Sequence, residues 1–201
     1  MRRRSESGFT LVEASVVLTL LIVLGALTVP RINNALTVRK LSSAAGELTG
    51  LVEFARLQAG LRGRAYQLSV GFGSGTSPGW FSVDEGINSL CTADSFVVDG
   101  AGEDPTIAVR ELDLGVEYEN DVFLESVEPG DLRNTTLCFK PDGRVLDMRT
   151  GAPLGPAPDG YAAGEAVFTL RLRSGDVTWE AHLRRVIVPY NGVPRVETVR
   201  P

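Results

Sequence analysis

Residues 2–30 read RRRSESGFTLVEASVVLTLLIVLGALTVP: three arginines, a short polar spacer, then a run from Phe9 to Val29 that is apolar but for a few residues. At about 1.5 Å of rise per residue the run makes about 31 Å of helix, close to the roughly 30 Å hydrocarbon thickness of a bilayer. Arg2, Arg3 and Arg4 hold the extreme N-terminus in the cytoplasm by the positive-inside tendency and export the rest of the chain. Glu13 does not suit a plain anchor, because a carboxylate at membrane depth is costly and marks a function with a charged partner. A cleaved secretory signal suits the run no better. Gly25-Ala26 is followed by more apolar residues and not by a polar mature start.

The string Gly8-Phe9-Thr10-Leu11-Val12-Glu13 resembles the processing site of type IV pilins and type II secretion pseudopilins. The resemblance implies that a prepilin peptidase of the membrane cuts between Gly8 and Phe9, removes the basic leader 1–8, and methylates the new amine of Phe9. It also implies that Glu13 is an assembly carboxylate, paired with the N-terminal amine of a neighbouring subunit as a filament grows. A charge in hydrocarbon is stabilised when an opposite charge arrives at the same depth, and an axially shifted neighbour brings one. Pro30 stands where such proteins often carry a proline, which removes an intrahelical hydrogen bond and permits a kink. The implied partners are other pilins or pseudopilins through their N-terminal helices, the peptidase and the inner membrane. The implied location is a single pass of the bacterial inner membrane with the soluble domain in the periplasm or extracytoplasmic space, filament-associated after assembly.

Beyond the apolar run the charge is unevenly spread. The 201-residue chain has a net charge of −5, but residues 65–165 hold eighteen Asp/Glu against five Lys/Arg, while 166–201 hold six Arg against three acids. Residues 31–64 show a helical stripe of Leu41, Ala44, Leu48, Leu51, Val52, Ala55 and Ala59, with Gly63 as a C-terminal stop. From residue 65 the period changes to two. Strands are expected at Tyr66–Phe72, Trp80–Asp84, Thr106–Leu112, Val116–Val127 (interrupted), Thr136–Lys140, Arg144–Met148 and Val167–Arg173, the last turning through 174–176 into 177–184. A parity change at Arg184-Arg185 predicts a bulge or bend there, and 150–164 reads as a Pro/Gly loop.

The divisions expected are therefore a leader 1–8, a transmembrane and assembly helix 9–30, an amphipathic helix 31–64 and an antiparallel β domain 65–201. The fold class is α+β, a long N-terminal helix packed on a β-sandwich-like domain. "ELTGLVEFARLQAGLRGR" at 47–64, Gly79-Trp80, "LCFKPDGRV" at 137–145 and Arg-Arg-Val-Ile-Val at 184–188 together resemble the minor pseudopilins of the GspH/FimT type. That resemblance implies a minor subunit at or near the tip of a type II secretion pseudopilus or a type IV pilus, supporting filament assembly or secretion. The long 150–164 loop and the ending "NGVPRVETVRP" depart from the group, some of whose DNA-binding members end in a tighter Gly-Arg-x-Arg.

Other chemistry finds little footing. His182 is the only histidine, "GFGSG" at 71–75 lacks a following Gly-Lys-Ser/Thr, and "DGAGED" at 99–104 lacks the spacing of a calcium loop. No enzyme, metal or cofactor is expected. Cys91 and Cys138, in an exported domain without Cys-x-x-Cys spacing, suit a structural disulfide, with two buried thiols as the alternative. The alternative function is DNA capture during uptake by Arg171, Arg173, Arg184, Arg185, Arg195 and Arg200, which extended strands could align along a phosphate backbone. The acidic middle and the scarcity of interleaved aromatics weigh against nucleic acid.

Overall fold

The computed structural model describes residues 10–71, 78–96, 108–128, 136–148, 164–172, 183–191 and 193–199, the side chains of 27–34 and 108 excepted. The first helix, α1, runs Leu11–Arg62 and continues through residue 30. The chain divides into two compact units, Met1–Thr37 and Val38–Pro201. In the second unit, α1 is stopped as its sequence demands. Gly63 adopts φ +67°, and its N–H bonds to the Ala59 carbonyl at 3.0 Å, the left-handed cap that glycine enters without steric cost.

Among the described residues nine strands and one short α-helix come after it: β1 (Tyr66–Gly71), β2 (Trp80–Glu85), β3 (Ala108–Asp113), α2 (Leu114–Glu117), β4 (Val122–Glu128), β5 (Thr136–Phe139), β6 (Val145–Asp147), β7 (Glu165–Leu172), β8 (Leu183–Pro189) and β9 (Arg195–Val199). They form two sheets, ordered β3-β2-β1-β5-β6 and β4-β7-β8-β9, and every pairing is antiparallel. The fold is α+β, the helix lying on antiparallel sheets. The helical stripe packs as its spacing requires: Leu41, Ala44, Ala45, Leu48, Leu51, Val52, Ala55 and Ala59 are all buried in one cluster with Leu68, Phe81, Leu137, Phe168 and Val186. Alanine at four of these positions lets the helix axis approach closely, and each buried Leu or Val contributes about 1.5–3 kcal/mol. Phe81 of one sheet meets Phe168 of the other edge-on, centroids 5.9 Å apart, which joins the two layers.

Several expectations change. Residues 116–121 are not strand: Asp113 caps α2, its Oδ1 accepting from Gly115 N (2.7 Å) and Val116 N (3.2 Å), and the strand begins only at Val122. The bulge expected at Arg184-Arg185 is absent, since β8 pairs in unbroken register with both β7 and β9. Val186, Ile187 and Val188 are all buried, so both faces of β8 are covered there and parity does not report a slip. The bulges lie in the edge strands β3 and β4, where Val109 and Glu125 are the extra residues. β9 was not legible as a strand because four of its five residues are exposed and it shows no alternation. The turn 174–176, residues 177–182 with His182, "DGAGED" at 99–104, and 150–163 of the Pro/Gly loop lie outside the described residues.

The turn after α2 holds Glu119 (φ 55°) and Asn120 (φ 63°) in the left-handed region, where an L side chain is disfavoured. Lys40 on α1 clamps it, its Nζ lying 2.7 Å from Glu119 and 2.6 Å from Asp121. Asn is the residue that tolerates this region best after Gly, so Asn120→Val is expected to lower stability by about 1–2 kcal/mol in chemical denaturation. Lys40→Ala should cost less, about 0.5–1 kcal/mol, because its partners are largely solvated.

Tyr66 and Tyr118 bury their phenol groups, and burial, with Glu85 near the first and Glu47 near the second, pushes both hydroxyls up to about 12. In the unfolded chain a tyrosine ionises near pH 10, so this contribution is intact below pH 10 and is lost as pH rises from there towards 12. Alkaline titration followed at 295 nm should show two of the four tyrosines ionising together with loss of the β-sheet signal. Their ionisation in a folded domain near pH 10 would contradict the burial.

Candidate assembly surface

Thr10 and Glu13 begin α1 with a reciprocal cap. The Glu13 N–H donates to Thr10 Oγ1 (3.2 Å), and Glu13 Oε2 accepts from Thr10 N (3.0 Å) and from Thr10 Oγ1 (2.9 Å). Two backbone donors that a helix start leaves unsatisfied are thus paired within one turn. The sequence signal was present as Thr-x-x-Glu ahead of an apolar run, and the reading of Glu13 solely as a charge awaiting a neighbour passed over it. Thr10 is therefore a site residue that sequence reasoning missed. Glu13 is exposed, and its Oε1 takes no hydrogen bond from a described residue.

After this cap the helix presents apolar side chains on every side. Leu11 is 87% exposed, and Val12, Val16, Val17, Leu18, Leu20, Leu21, Ile22, Val23 and Leu24 are exposed as well. A helix apolar all round is built for an apolar medium or for close neighbours. Among the described residues no helix is long and apolar enough to cross a membrane; the side chains of 27–29, which complete the apolar run, lie outside them. Gly8 and Phe9 lie outside the described residues, as does the side chain of Pro30.

The disulfide pair meets. Cys91 and Cys138 are bonded, Sγ–Sγ 1.99 Å and Cα–Cα 5.8 Å. Cys138 sits mid-β5 and is fully buried, and the bond ties to β5 the segment after β2, which turns through Ala93–Phe96. Ser95 is buried there, its hydroxyl held by Asn88 Oδ1 and paired with Thr92 Oγ1, both at 2.8 Å.

The C-terminal arginines are largely engaged within the domain. Arg195 forks onto Glu165 (2.9 and 3.2 Å) and reaches Glu197 at 3.4 Å; the Glu165 carboxylate is 9% exposed, and the pairing raises the Arg195 guanidinium above its ordinary range. Arg171 pairs with Glu125 at 2.9 Å, and Arg184 reaches Ser42 on α1. Arg185 lies on the alternate face of β8 from Arg184; Arg173 and Arg200 are outside the described residues. No line of free guanidinium groups is formed by the described residues that would track a phosphate backbone. A cleft of about 490 Å³ opens where Arg56, Leu57 and Gly60 of α1 face Pro141 and Val193, with Arg56 donating to the Gly143 carbonyl across it. No group of three or more metal-ligating side chains occurs among the described residues.

No protein-family model matches the chain, and no curated protein sequence matches it. In structure the chain is similar to the type IV minor pilin FimU of Pseudomonas aeruginosa in two crystal structures. One is 15% identical, covering 80% of this chain and 89% of that one with a TM-score of 0.45. The other is 16% identical, covering 78% of this chain and 92% of that one with a TM-score of 0.44.

Proposed function

We propose that this chain is a minor pilin-like subunit, cut between Gly8 and Phe9 and assembled through its N-terminal helix into a type IV pilus or a type II secretion pseudopilus. The observation that carries the reading is the junction itself: a Gly8-Phe9 processing string, directly followed by a capped helix whose sole acid before residue 47 is Glu13 and whose large apolar side chains between Leu11 and Leu24 are exposed. The apolar run 9–29 spans the inner membrane before assembly, and the domain 65–201 with the amphipathic helix 31–64 stands outside it. Cleavage places the new amine of Phe9 one residue before Thr10, whose N–H already holds Glu13. The carboxylate is thereby kept in order by its own helix start, and Oε1 remains to receive the amine of a neighbour. The role is structural, at or near the filament tip, with no catalysis. The DNA-capture alternative is weakened by the engagement of Arg171 and Arg195 with Glu125 and Glu165.

The reading is tested in cells that make the filament. Antibody to the domain should detect the chain in the sheared filament fraction as well as in the inner membrane. A chain confined to the membrane, with filaments present in the sheared fraction, contradicts it.

A further inference from the structure

Among the described residues four strand edges end the two sheets, and three of them carry a feature that discourages pairing with another chain. β3 is bulged at Val109, β4 is bulged at Glu125, and β6 is only three residues long. Bulges and shortness are the ordinary protections of an exposed edge. β9 has neither: it pairs with β8 in regular register over all five residues, with no proline or lysine between Arg195 and Val199. Among the described residues no further strand pairs with its outer side. Val196 pairs with Val186, which belongs to the core, yet Val196 is 44% exposed, so the apolar layer ends open at this edge.

We propose that β9 is a homotypic docking edge, on which two copies of the chain pair antiparallel about a two-fold axis at Val196. The sequence 193–199, VPRVETV, is self-complementary in that register alone. Val196 meets its own copy, Arg195 lies opposite Glu197 of the second copy and the reverse, and Val193 (73% exposed) meets Val199. Opposite charges directly across a pair stabilise it and like charges destabilise it. Slipping the pair by two residues either way sets Glu197 against Glu197 or Arg195 against Arg195. Slipping it by one sets Val196 against Glu197 or Arg195. The axis stands perpendicular to the sheet, so Arg195 and Glu197 of both copies share one face and both Val196 side chains share the other. The fork from Arg195 to Glu165 holds the edge in place before any partner arrives. The inference rests on this edge and not on the filament reading.

Cysteine placement in the full-length chain in detergent tests the register. Both native cysteines are bonded to each other, so an added cysteine is the single free thiol. Facing residues of an antiparallel pair stand about 4.5–5.5 Å apart at Cα, within disulfide reach. Val196→Cys should therefore give mostly cross-linked dimer on mild oxidation. Thr198→Cys should give at least tenfold less, because residue 198 of one copy is then about 14 Å from its counterpart. Adding Glu197→Arg to Val196→Cys should cut the cross-linking about tenfold, with the circular dichroism spectrum unchanged because Glu197 is exposed. Equal cross-linking at 196 and 198, no cross-linking at 196, or insensitivity to the charge reversal would each overturn the proposal.

Discussion

Replacing Cys91 and Cys138 together by alanine should lower the unfolding free energy of the domain by about 4 kcal/mol, a large share of the 5–15 kcal/mol that a domain of ordinary stability has to lose. The effect comes from the loop that the bond closes. The two cysteines are 47 residues apart in sequence, and releasing a loop of that length returns to the unfolded chain the entropy that cross-linking had removed. The native state also changes. The segment after β2 is held by few buried side chains apart from Ser95, so without the bond its attachment rests on backbone contacts such as Ala65 N to the Asn88 carbonyl. Urea denaturation of the oxidised wild type against the double variant measures the difference. A loss below about 1 kcal/mol would mean that the segment is fastened by those contacts and not by the sulfurs.

The second large effect is expected at Glu13. Glu13→Ala should leave the chain processed and in the membrane but absent from filaments. That variant alone is ambiguous, because it removes a charge and also the Glu13 half of the helix cap. Glu13→Gln separates the two. Glutamine serves in the same capping box, accepting from Thr10 N–H, and carries no charge to meet an amine. If a neighbour's amine is the partner, Gln should fail as completely as Ala in the sheared filament fraction. Normal incorporation of Glu13→Gln would reduce Glu13 to a capping residue and remove the pairing from the account.

Much of this architecture could be read from residue periodicity. The α1 stripe repeats at three and four over residues 41–59, and every residue named from that spacing is buried, because a helix on a sheet leaves only one face covered. β1 was readable for the corresponding reason, a half-covered strand alternating between buried and partly exposed residues. Two of the failures fall where that asymmetry vanishes. β8 is buried on both faces at 186–188, which imitated a bulge, and β9 is exposed on both, which imitated a tail. At the candidate site, Glu13 stood out because it is a charge among apolar residues. Thr10 did not, since a threonine at the edge of such a run is unremarkable until its hydroxyl is seen to hold the Glu13 N–H.

The central claim stands or falls on the covalent state of the N-terminus. Intact-mass and N-terminal peptide analysis of the chain, isolated from cells that contain a prepilin peptidase, decides it. The result expected is a mature chain beginning at N-methyl-Phe9, with residues 1–8 missing. A chain from those same cells that still begins at Met1, or one cut after Ala26 as a secretory signal would be, contradicts the account.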